Sequence, residues 1–213
     1  MKIADSRIKP TFELEAAEHQ LGLRPIAGVD EAGRGPWAGP VVAAAVILDP
    51  DRIPANIDDS KALDEESRAY LFNRIMKVAI VGVGIAEVDR IDRDNILAAT
   101  LWAMAQAIGQ LGDAPKLVLV DGNKAPRVAM TTRTIIKGDA KCLSIAAASI
   151  VAKVTRDRIM TQMARDYPGY GFERHKGYGT PEHQAAIHKL GVSPLHRRSF
   201  KPVQLALGLG ALV

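Results

Sequence analysis

Two adjacent carboxylates close the first strongly apolar run of this chain. Asp30 and Glu31 follow residues 26–29, and a glycine-containing loop that carries Arg34 separates them from a second apolar run at residues 41–48. Carboxylates at a strand end bind divalent metal ions, and glycines allow another molecule to approach the backbone. An arginine in such a loop suits a phosphate or a sugar hydroxyl. Together these features indicate phosphodiester chemistry.

The glycines of this loop fit neither of two common phosphate-binding motifs. Gly33, Gly35 and Gly39 read G-x-G-x-x-x-G, one residue away from the dinucleotide-binding fingerprint, and Pro36 and Pro40 would interrupt the helix that receives the pyrophosphate. A Walker loop is excluded because no Gly-Lys-Ser/Thr sequence follows. A tight hairpin with a surface acidic pair remains the alternative interpretation.

Two further aspartates, Asp121 and Asp139, come after short apolar runs. Adjacent strand ends of an open sheet form one edge, where functional groups gather, so we predict one site that contains both aspartates together with Asp30 and Glu31. Four converging carboxylates repel one another unless cations neutralise them. Oxygen ligands alone favour Mg²⁺ or Mn²⁺ over zinc. Each aspartate taken alone is also compatible with an ordinary turn.

The elements that must position these residues alternate between apolar strands and helices, which predicts an α/β fold. The loop after the first strand is compatible with antiparallel pairing of the first two strands. Asp64 is the predicted N-cap of a helix. Strands are predicted at 26–30, 41–48, 78–86, 116–120 and 134–136, and helices at 12–21, 64–77, 91–111, 144–163 and 181–190.

Length and composition indicate a globular protein that acts inside the cell. The 213 residues, of which 47% are hydrophobic and 24% charged, suit one domain with a small appendage. No apolar run is long enough to span a bilayer, and the N-terminus lacks the apolar core of a signal peptide. The single cysteine excludes an internal disulfide and a multi-cysteine zinc site. We therefore expect a cytoplasmic protein without a membrane partner.

The positive charge is concentrated in the C-terminal third. The formal net charge is +4, and residues 153–201 contain ten Lys or Arg against four Asp or Glu. A basic segment beside acidic pairs fits a polyanion held over a metal site, although a charged run is also compatible with a solvated face. Within the segment we expect Lys153 and Arg156 to face solvent or phosphate.

Seven segments, in their order along the chain, resemble the bacterial type 2 ribonuclease H family, ribonuclease HII. The resemblance covers about residues 26–202. In one departure, Ala62 and Asp64 stand where the family often has a lysine and a serine, which would weaken a phosphate contact. The segments are GVDEAGRGPWAGPVVAAAVIL (28–48), DDSKALD (58–64), LVDGN (119–123), KGD (137–139), SIAAASIVAKVTRD (144–157), YGFERHKGYGT (170–180) and HRRSF (196–200).

The resemblance implies a ribonuclease-H-like fold, in which helices flank a mixed five-stranded sheet and a helical extension follows at the C-terminus. It divides the chain into an N-terminal extension (1–24), a catalytic domain (25–167) and a C-terminal substrate-binding extension (168–213). It implies endonucleolytic hydrolysis at ribonucleotides in RNA–DNA hybrids and at single ribonucleotides embedded in duplex DNA. The products would carry 5′-phosphate and 3′-hydroxyl ends. We expect a monomer.

The resemblance also implies roles for individual residues. Two Mg²⁺ or Mn²⁺ ions would be bound by the catalytic carboxylates Asp30, Glu31, Asp121 and Asp139. The 2′-hydroxyl, the only local difference between RNA and DNA, would be contacted largely through the backbone of Gly33, Arg34 and Gly35. Tyr178 would pack on the sugar at the RNA–DNA junction, and Ser60 and Lys61 would contact phosphate.

Two other functions remain open. One is a different metal-dependent nuclease on the same fold that cleaves only continuous hybrid, and the Gly-Arg-Gly loop together with Tyr178 argues against it. The other is a catalytically silent module that binds RNA–DNA hybrid, and the four intact carboxylates argue against it.

Overall fold

A computed structural model of the chain describes residues 9–209. Residues 1–8, on which the expectation about a signal peptide rests, and residues 210–213 lie outside that range. The described part is an α/β fold in which helices cover a sheet of five strands. The strands are β1 (Ile26–Ala32), β2 (Val41–Ile47), β3 (Ile80–Ala86), β4 (Leu117–Asp121) and β5 (Thr131–Ile135).

Eight α-helices lie before, between and after these strands in residues 9–209. They are α1 (Glu13–Gln20), α2 (Glu65–Val78), α3 (Val88–Asp94), α4 (Ile96–Gly109), α5 (Leu143–Asp166), α6 (Phe172–His175), α7 (Pro181–Leu190) and α8 (Lys201–Ala206), with a 3₁₀ helix at Gly138–Ala140 between β5 and α5. As predicted, Asp64 caps α2 by accepting a hydrogen bond from the Ser67 amide at 2.7 Å. Within the described residues, no helix combines the length and hydropathy needed to cross a membrane.

The sheet is mixed, as the family resemblance implied, with the order β3-β2-β1-β4-β5. The first three strands pair antiparallel, whereas β4 pairs parallel with both β1 and β5. The register places Val29 of β1 beside Val120 of β4. The next residues on these two strands are Asp30 and Asp121, so the sheet brings both aspartates to the same level on neighbouring strands.

Helices α4 and α5 hold the sheet from its two faces. The small apolar first half of α5 packs on β1 and β2, and a Cβ added at Gly28 would lie 2.1 Å from the backbone carbon of Ser144 at the start of that helix. A Cβ at Gly84 would lie 2.0 Å from the carbonyl oxygen of Ala103 in α4. These strand glycines therefore allow backbone-to-backbone approach of helix and sheet, which fixes the strand that carries Asp30.

The predicted helix over residues 91–111 was wrong, because the chain forms two helices there. Asn95 breaks them with a φ of 69°, and its side-chain oxygen accepts hydrogen bonds from the amides of Leu97 (3.0 Å) and Ala98 (3.1 Å). Asparagine tolerates positive φ and is a favoured N-cap. The apolar period continues across the break, so the pattern alone did not reveal it.

Helix α1, in the N-terminal extension, packs on the start of α5. The Glu15 side chain is 1% exposed, and its Oε1 accepts hydrogen bonds from the Ser144 amide (2.8 Å) and hydroxyl (2.7 Å). Glu18 forms an ion pair with Arg133 of β5. A carboxylate from a distant segment thus satisfies an amide in the first turn of α5 and complements the positive end of its dipole.

Replacing Glu15 with alanine should therefore destabilise the protein. The loss of a cap costs about 1–2 kcal/mol of unfolding free energy, and the buried Ser144 groups are left without their acceptor. The measurement is urea denaturation of wild type, Glu15→Ala and Glu13→Ala, the last removing an exposed glutamate from the first turn of α1. Equal unfolding free energies for the two variants would contradict the capping role.

Candidate active site

Three aspartates converge where the neighbouring central strands β1 and β4 end. One carboxylate oxygen of each of Asp30, Asp121 and Asp139 lies within 4.8 Å of the others. The parallel β1–β4 pair supplies the first two, and the 3₁₀ helix after β5 supplies the third. The amide of Gly138 donates to Asp121 Oδ1 at 2.7 Å, which ties that short helix to the end of β4. The predicted meeting of these three aspartates is thus present in the structure.

This arrangement is electrostatically unfavourable by itself. Asp30 is 4% exposed, and burial, reinforced by the charges of Glu31 and Asp121, raises its pKa well above the ordinary range. Burial also raises the pKa of Asp121, against the effect of the Gly138 amide. Lys61 Nζ lies 3.4 Å from Asp139 Oδ2, but 78% of the lysine side chain is exposed, so the compensation is weak. An all-carboxylate cluster of this kind fits a hard divalent cation.

Glu31 lies outside this group of three, although it follows Asp30 directly. Successive strand residues point to opposite faces, and the Glu31 carboxylate pairs with Arg34 at 3.3 Å. Burial raises the pKa of Glu31, and the Arg34 guanidinium opposes that shift. Glu31 still lines the same cavity as Asp30 and Asp121, and so remains within reach of anything held there.

The cavity, of about 350 Å³, joins the carboxylates to the proposed recognition residues. It is lined by Asp30, Glu31, Ala32, Gly33, Arg34, Gly35, Ser60, Lys61, Asp121, Lys153, Arg156 and Tyr178. Lys153, which we expected to face solvent or phosphate, forms an ion pair with Asp157 at 2.9 Å. Every residue that the sequence proposed for the site lies on this cavity or, for Asp139, beside its carboxylates.

The loop glycines were expected to let another molecule approach the backbone, but two of them have a different role. Gly33 has a φ of 98°, and a Cβ there would lie 2.0 Å from Arg156 Nε. A Cβ at Gly39 would lie 2.2 Å from Met160 Sδ. These two glycines thus make room for α5 of the same chain rather than for another molecule. Gly35 differs, since a Cβ there would have only the Tyr178 ring as a close neighbour, at 3.7 Å.

The expectation that Arg156 faces solvent or phosphate was wrong. Its side chain is buried and donates to the carbonyls of Ala38 (3.1 Å), Pro40 (2.9 Å) and Lys176 (3.0 Å). Burial lowers the pKa of Arg156 to about 10. Arg197 is also fully buried in the basic segment, and burial followed by the Arg156 charge lowers its pKa to about 9. The basic charge of this segment is therefore partly internal.

A chain of histidines, which their sequence spacing did not reveal, supports Tyr178. The Ser193 amide donates to Nδ1 of His196 at 3.0 Å, so Nε2 of the neutral ring carries the proton and donates to Nε2 of His183 at 3.0 Å. His183 Nδ1 in turn donates to the Tyr178 carbonyl at 2.9 Å. Burial lowers the pKa of both histidines to about 4. The chain fixes the Tyr178 backbone, while 46% of that residue stays exposed beside the cavity.

Comparison with known proteins identifies the family of this fold and site. The family model for ribonuclease HII matches residues 27–203. The chain belongs to this family. Its members are metal-dependent ribonuclease H hydrolases, which confirms the resemblance drawn from the sequence segments.

Among curated relatives, ribonuclease HII of Rhizorhabdus wittichii is 60% identical over 194 residues, covering 91% of this chain and 94% of that protein. Ribonuclease HII of Bradyrhizobium diazoefficiens is 57% identical and covers 93% and 76%. The crystal structure of ribonuclease H2 from Pyrococcus horikoshii superposes with a TM-score of 0.73 at 27% identity, covering 85% and 96%. Bst-RNase HIII in complex with Mn²⁺, at 21% identity and a TM-score of 0.69, shares the fold over 92% of this chain and 73% of its own.

The crowding of the carboxylates predicts that Asp30→Asn stabilises the metal-free protein. Asparagine can keep the side-chain oxygen that accepts from the Glu31 amide at 2.7 Å, while it removes the charge that Asp121 and Asp139 repel. The melting temperature in EDTA should rise by roughly 2–4 °C per kcal/mol of repulsion removed.

Asp157→Asn is the control for this prediction, because Asp157 faces Lys153 at 2.9 Å rather than other carboxylates. That variant should show no such rise. A lower melting temperature for Asp30→Asn in EDTA would mean that the three carboxylates are not repelling one another in the folded protein.

Proposed function

We propose that this chain is an endoribonuclease that cuts at ribonucleotides in RNA–DNA hybrids and at single ribonucleotides embedded in duplex DNA. The observation that carries the proposal is the placement of Asp30 and Asp121 in one cavity with Gly35 and Tyr178. A centre for phosphodiester hydrolysis thus adjoins a surface that can contact a sugar. The ends produced would be a 5′-phosphate and a 3′-hydroxyl.

The carboxylates fit two divalent ions, Mg²⁺ or Mn²⁺, held by Asp30, Glu31, Asp121 and Asp139. Bound ions of this kind activate water for in-line attack and stabilise the leaving oxygen. The aspartates contribute fixed positions, because β1, β4 and the Gly138–Ala140 helix are joined by backbone pairing and by the hydrogen bond from Gly138 to Asp121. Glu31, held at the rim by Arg34, would complete the ligand set.

One side of the cavity suits the sugar of a nucleotide, and the other side suits its phosphate. Gly35 presents backbone next to the exposed Tyr178 ring, 3.7 Å from the position of a Cβ, which suits a ribose and the sugar that follows it. Lys61 is largely exposed and can leave Asp139 for a phosphate. Ser60 lies beside it, with its amide fixed by the Ser149 hydroxyl at 3.2 Å. The C-terminal segment, 168–213, would hold the duplex through its exposed basic residues.

This arrangement argues against two alternative functions. A silent hybrid-binding module would have no need of three mutually repelling carboxylates, two buried and one half-buried, which only a bound cation makes favourable. A nuclease restricted to continuous hybrid would have no need of an exposed tyrosine beside the glycine loop. We also propose a cytoplasmic monomer.

A duplex DNA that carries one ribonucleotide should be cut once, at the ribonucleotide, and only with Mg²⁺ or Mn²⁺. Asp121→Asn and Asp139→Asn should each lower kcat on the order of a hundredfold or more, since metal stabilisation of the transition state is worth several kcal/mol. Mapping of the labelled ends gives the position and chemistry of the cut. Asp113→Asn, at an exposed aspartate outside the cavity, is the control and should keep full activity. Metal-dependent turnover at the wild-type rate in either site variant would remove that residue from the centre.

Tyr178→Ala should impair cleavage at a single embedded ribonucleotide more than cleavage of continuous hybrid, which has no RNA–DNA junction at most cut positions. Loss of one stacking contact is worth about 1–3 kcal/mol, so the ratio of kcat/KM on the two substrates should fall roughly tenfold to over a hundredfold. Tyr70→Ala removes another exposed tyrosine, 63% exposed on α2, and should leave the ratio unchanged. If Tyr178→Ala also keeps the wild-type ratio, Tyr178 does not read the junction.

A further inference from the structure

The buried guanidinium of Arg197 holds the glycine loop, residues 33–40, by donating hydrogen bonds to its carbonyls. Its guanidinium donates to the carbonyls of Gly33 (2.6 Å), Arg34 (3.0 Å), Gly39 (2.8 and 2.9 Å) and Pro40 (3.2 Å). Arg197 is 0% exposed and, within residues 9–209, no carboxylate forms an ion pair with it. A charged side chain is rarely buried without an opposite charge, because its desolvation costs free energy that only its hydrogen bonds can offset here.

The bonds to Gly33 and Arg34 fix the direction of two neighbouring peptide groups. In a trans peptide the carbonyl and the following N–H point in opposite directions. The carbonyl of Gly33 shares its peptide with the amide of Arg34, and the carbonyl of Arg34 shares its peptide with the amide of Gly35. Because Arg197 draws both carbonyls inward, both amides are turned away from the core, and the two residues that carry them line the cavity.

These two amides are available to a ligand. In the described part of the chain, neither the Arg34 nor the Gly35 amide donates a hydrogen bond to another group. Successive N–H groups that point to one side form a small concave site for an electron-rich oxygen. The buried guanidinium of Arg197, with that of Arg156 beside it, adds positive charge behind that site.

We propose that Arg197 is a positioning residue for ribonucleotide recognition. It holds the Arg34 and Gly35 amides as a pair of donors to an oxygen of the ribose that DNA lacks. The proposal rests on the proposed function and adds to it the residue that sets the sugar preference. The C-terminal segment reinforces this arrangement, because the Arg197 amide donates to the Trp37 carbonyl and the Trp37 amide to the Gly177 carbonyl, each at 2.8 Å.

Arg156 is the matched control within the same chain. It is also a buried arginine that donates only to backbone carbonyls, and Pro40 is a shared acceptor. Its other two acceptors are Ala38 and Lys176, and it does not hold the carbonyls of Gly33 and Arg34. Substitution of either arginine should lower stability, whereas only substitution of Arg197 should release the two amides.

The test compares Arg197→Lys and Arg156→Lys, which keep a positive charge but lose the planar set of five donors. Affinity for a duplex with one ribonucleotide and for the same duplex in all-DNA form is measured by fluorescence anisotropy, with Ca²⁺ in place of Mg²⁺. Wild type should prefer the ribonucleotide duplex. Arg197→Lys should reduce that preference roughly fivefold to tenfold, the value of about one hydrogen bond, while Arg156→Lys should retain it. Thermal melting of each variant reports folding.

Three results would overturn the proposal: an unchanged preference in folded Arg197→Lys, an equal loss in Arg156→Lys, or no preference in wild type. Cleavage of the ribonucleotide duplex by wild type with Mg²⁺ is measured alongside. Its absence would reject the proposed function, whereas its presence with any of the three results rejects only the role of Arg197.

A measurement on the wild-type protein decides the matter if Arg197→Lys fails to fold. The protein is labelled with ¹⁵N, and its amide resonances are followed while either duplex is added with Ca²⁺. The amide protons of Arg34 and Gly35 should move downfield with the ribonucleotide duplex and not with the all-DNA duplex. Equal movement with the two duplexes, or none with either, would show that these amides do not donate to the ribose.

Discussion

Repulsion between buried carboxylates is the constraint on which the rest of this structure depends. Asp30, Asp121 and Asp139 converge where β1 and β4 end, and burial, followed by the charges of neighbouring carboxylates, raises the pKa of the first two. Flexible segments would move apart under such repulsion. Here two of the carboxylates lie on paired central strands, held by α4 and α5, and the third is tied to β4 by a backbone hydrogen bond. The stability of the packed sheet offsets the repulsion until a cation relieves it.

The surface formed by the glycine loop and Tyr178 is held by hydrogen bonds from buried side chains rather than by strand pairing. The glycine loop belongs to no strand or helix of its own, and its shape is imposed by the hydrogen bonds that two buried arginines make to its carbonyls. Tyr178, whose ring lies next to Gly35, is fixed through its carbonyl by His183, which is hydrogen-bonded to His196. The loop thus presents an amide pair, and Tyr178 presents an aromatic ring, each on a backbone that is secured by hydrogen bonds from the protein interior. Rigidity of this kind lowers the entropic cost of binding a nucleotide.

The sequence predicted the features that depend on local pattern. Apolar runs located four of the five strands, whereas β5 (Thr131–Ile135) is mostly polar and was predicted only at 134–136. The recurrence of acids after these segments predicted that Asp30, Asp121 and Asp139 share one site. It could not predict that Arg156 is buried, because basic residues are mostly exposed and its carbonyl acceptors lie 116 and 118 residues away. The break at Asn95 was hidden because the apolar period of the two helices stays in phase. These features arise from tertiary contacts, for which one sequence offers no periodicity.

Arg34 and Gly33, whose carbonyls accept hydrogen bonds from the Arg197 guanidinium, lie 163 and 164 residues before it in the chain. During synthesis all four carboxylates are present once residue 139 has been added, whereas Arg197 follows about sixty residues later, which at roughly 5–20 residues per second takes about 3–12 s. A nascent or prematurely terminated chain that lacks Arg197 therefore contains all four carboxylates but no side chain that holds the Gly33 and Arg34 carbonyls. With the role proposed for Arg197, a preference for ribose over deoxyribose would be acquired only after all four carboxylates have been synthesised.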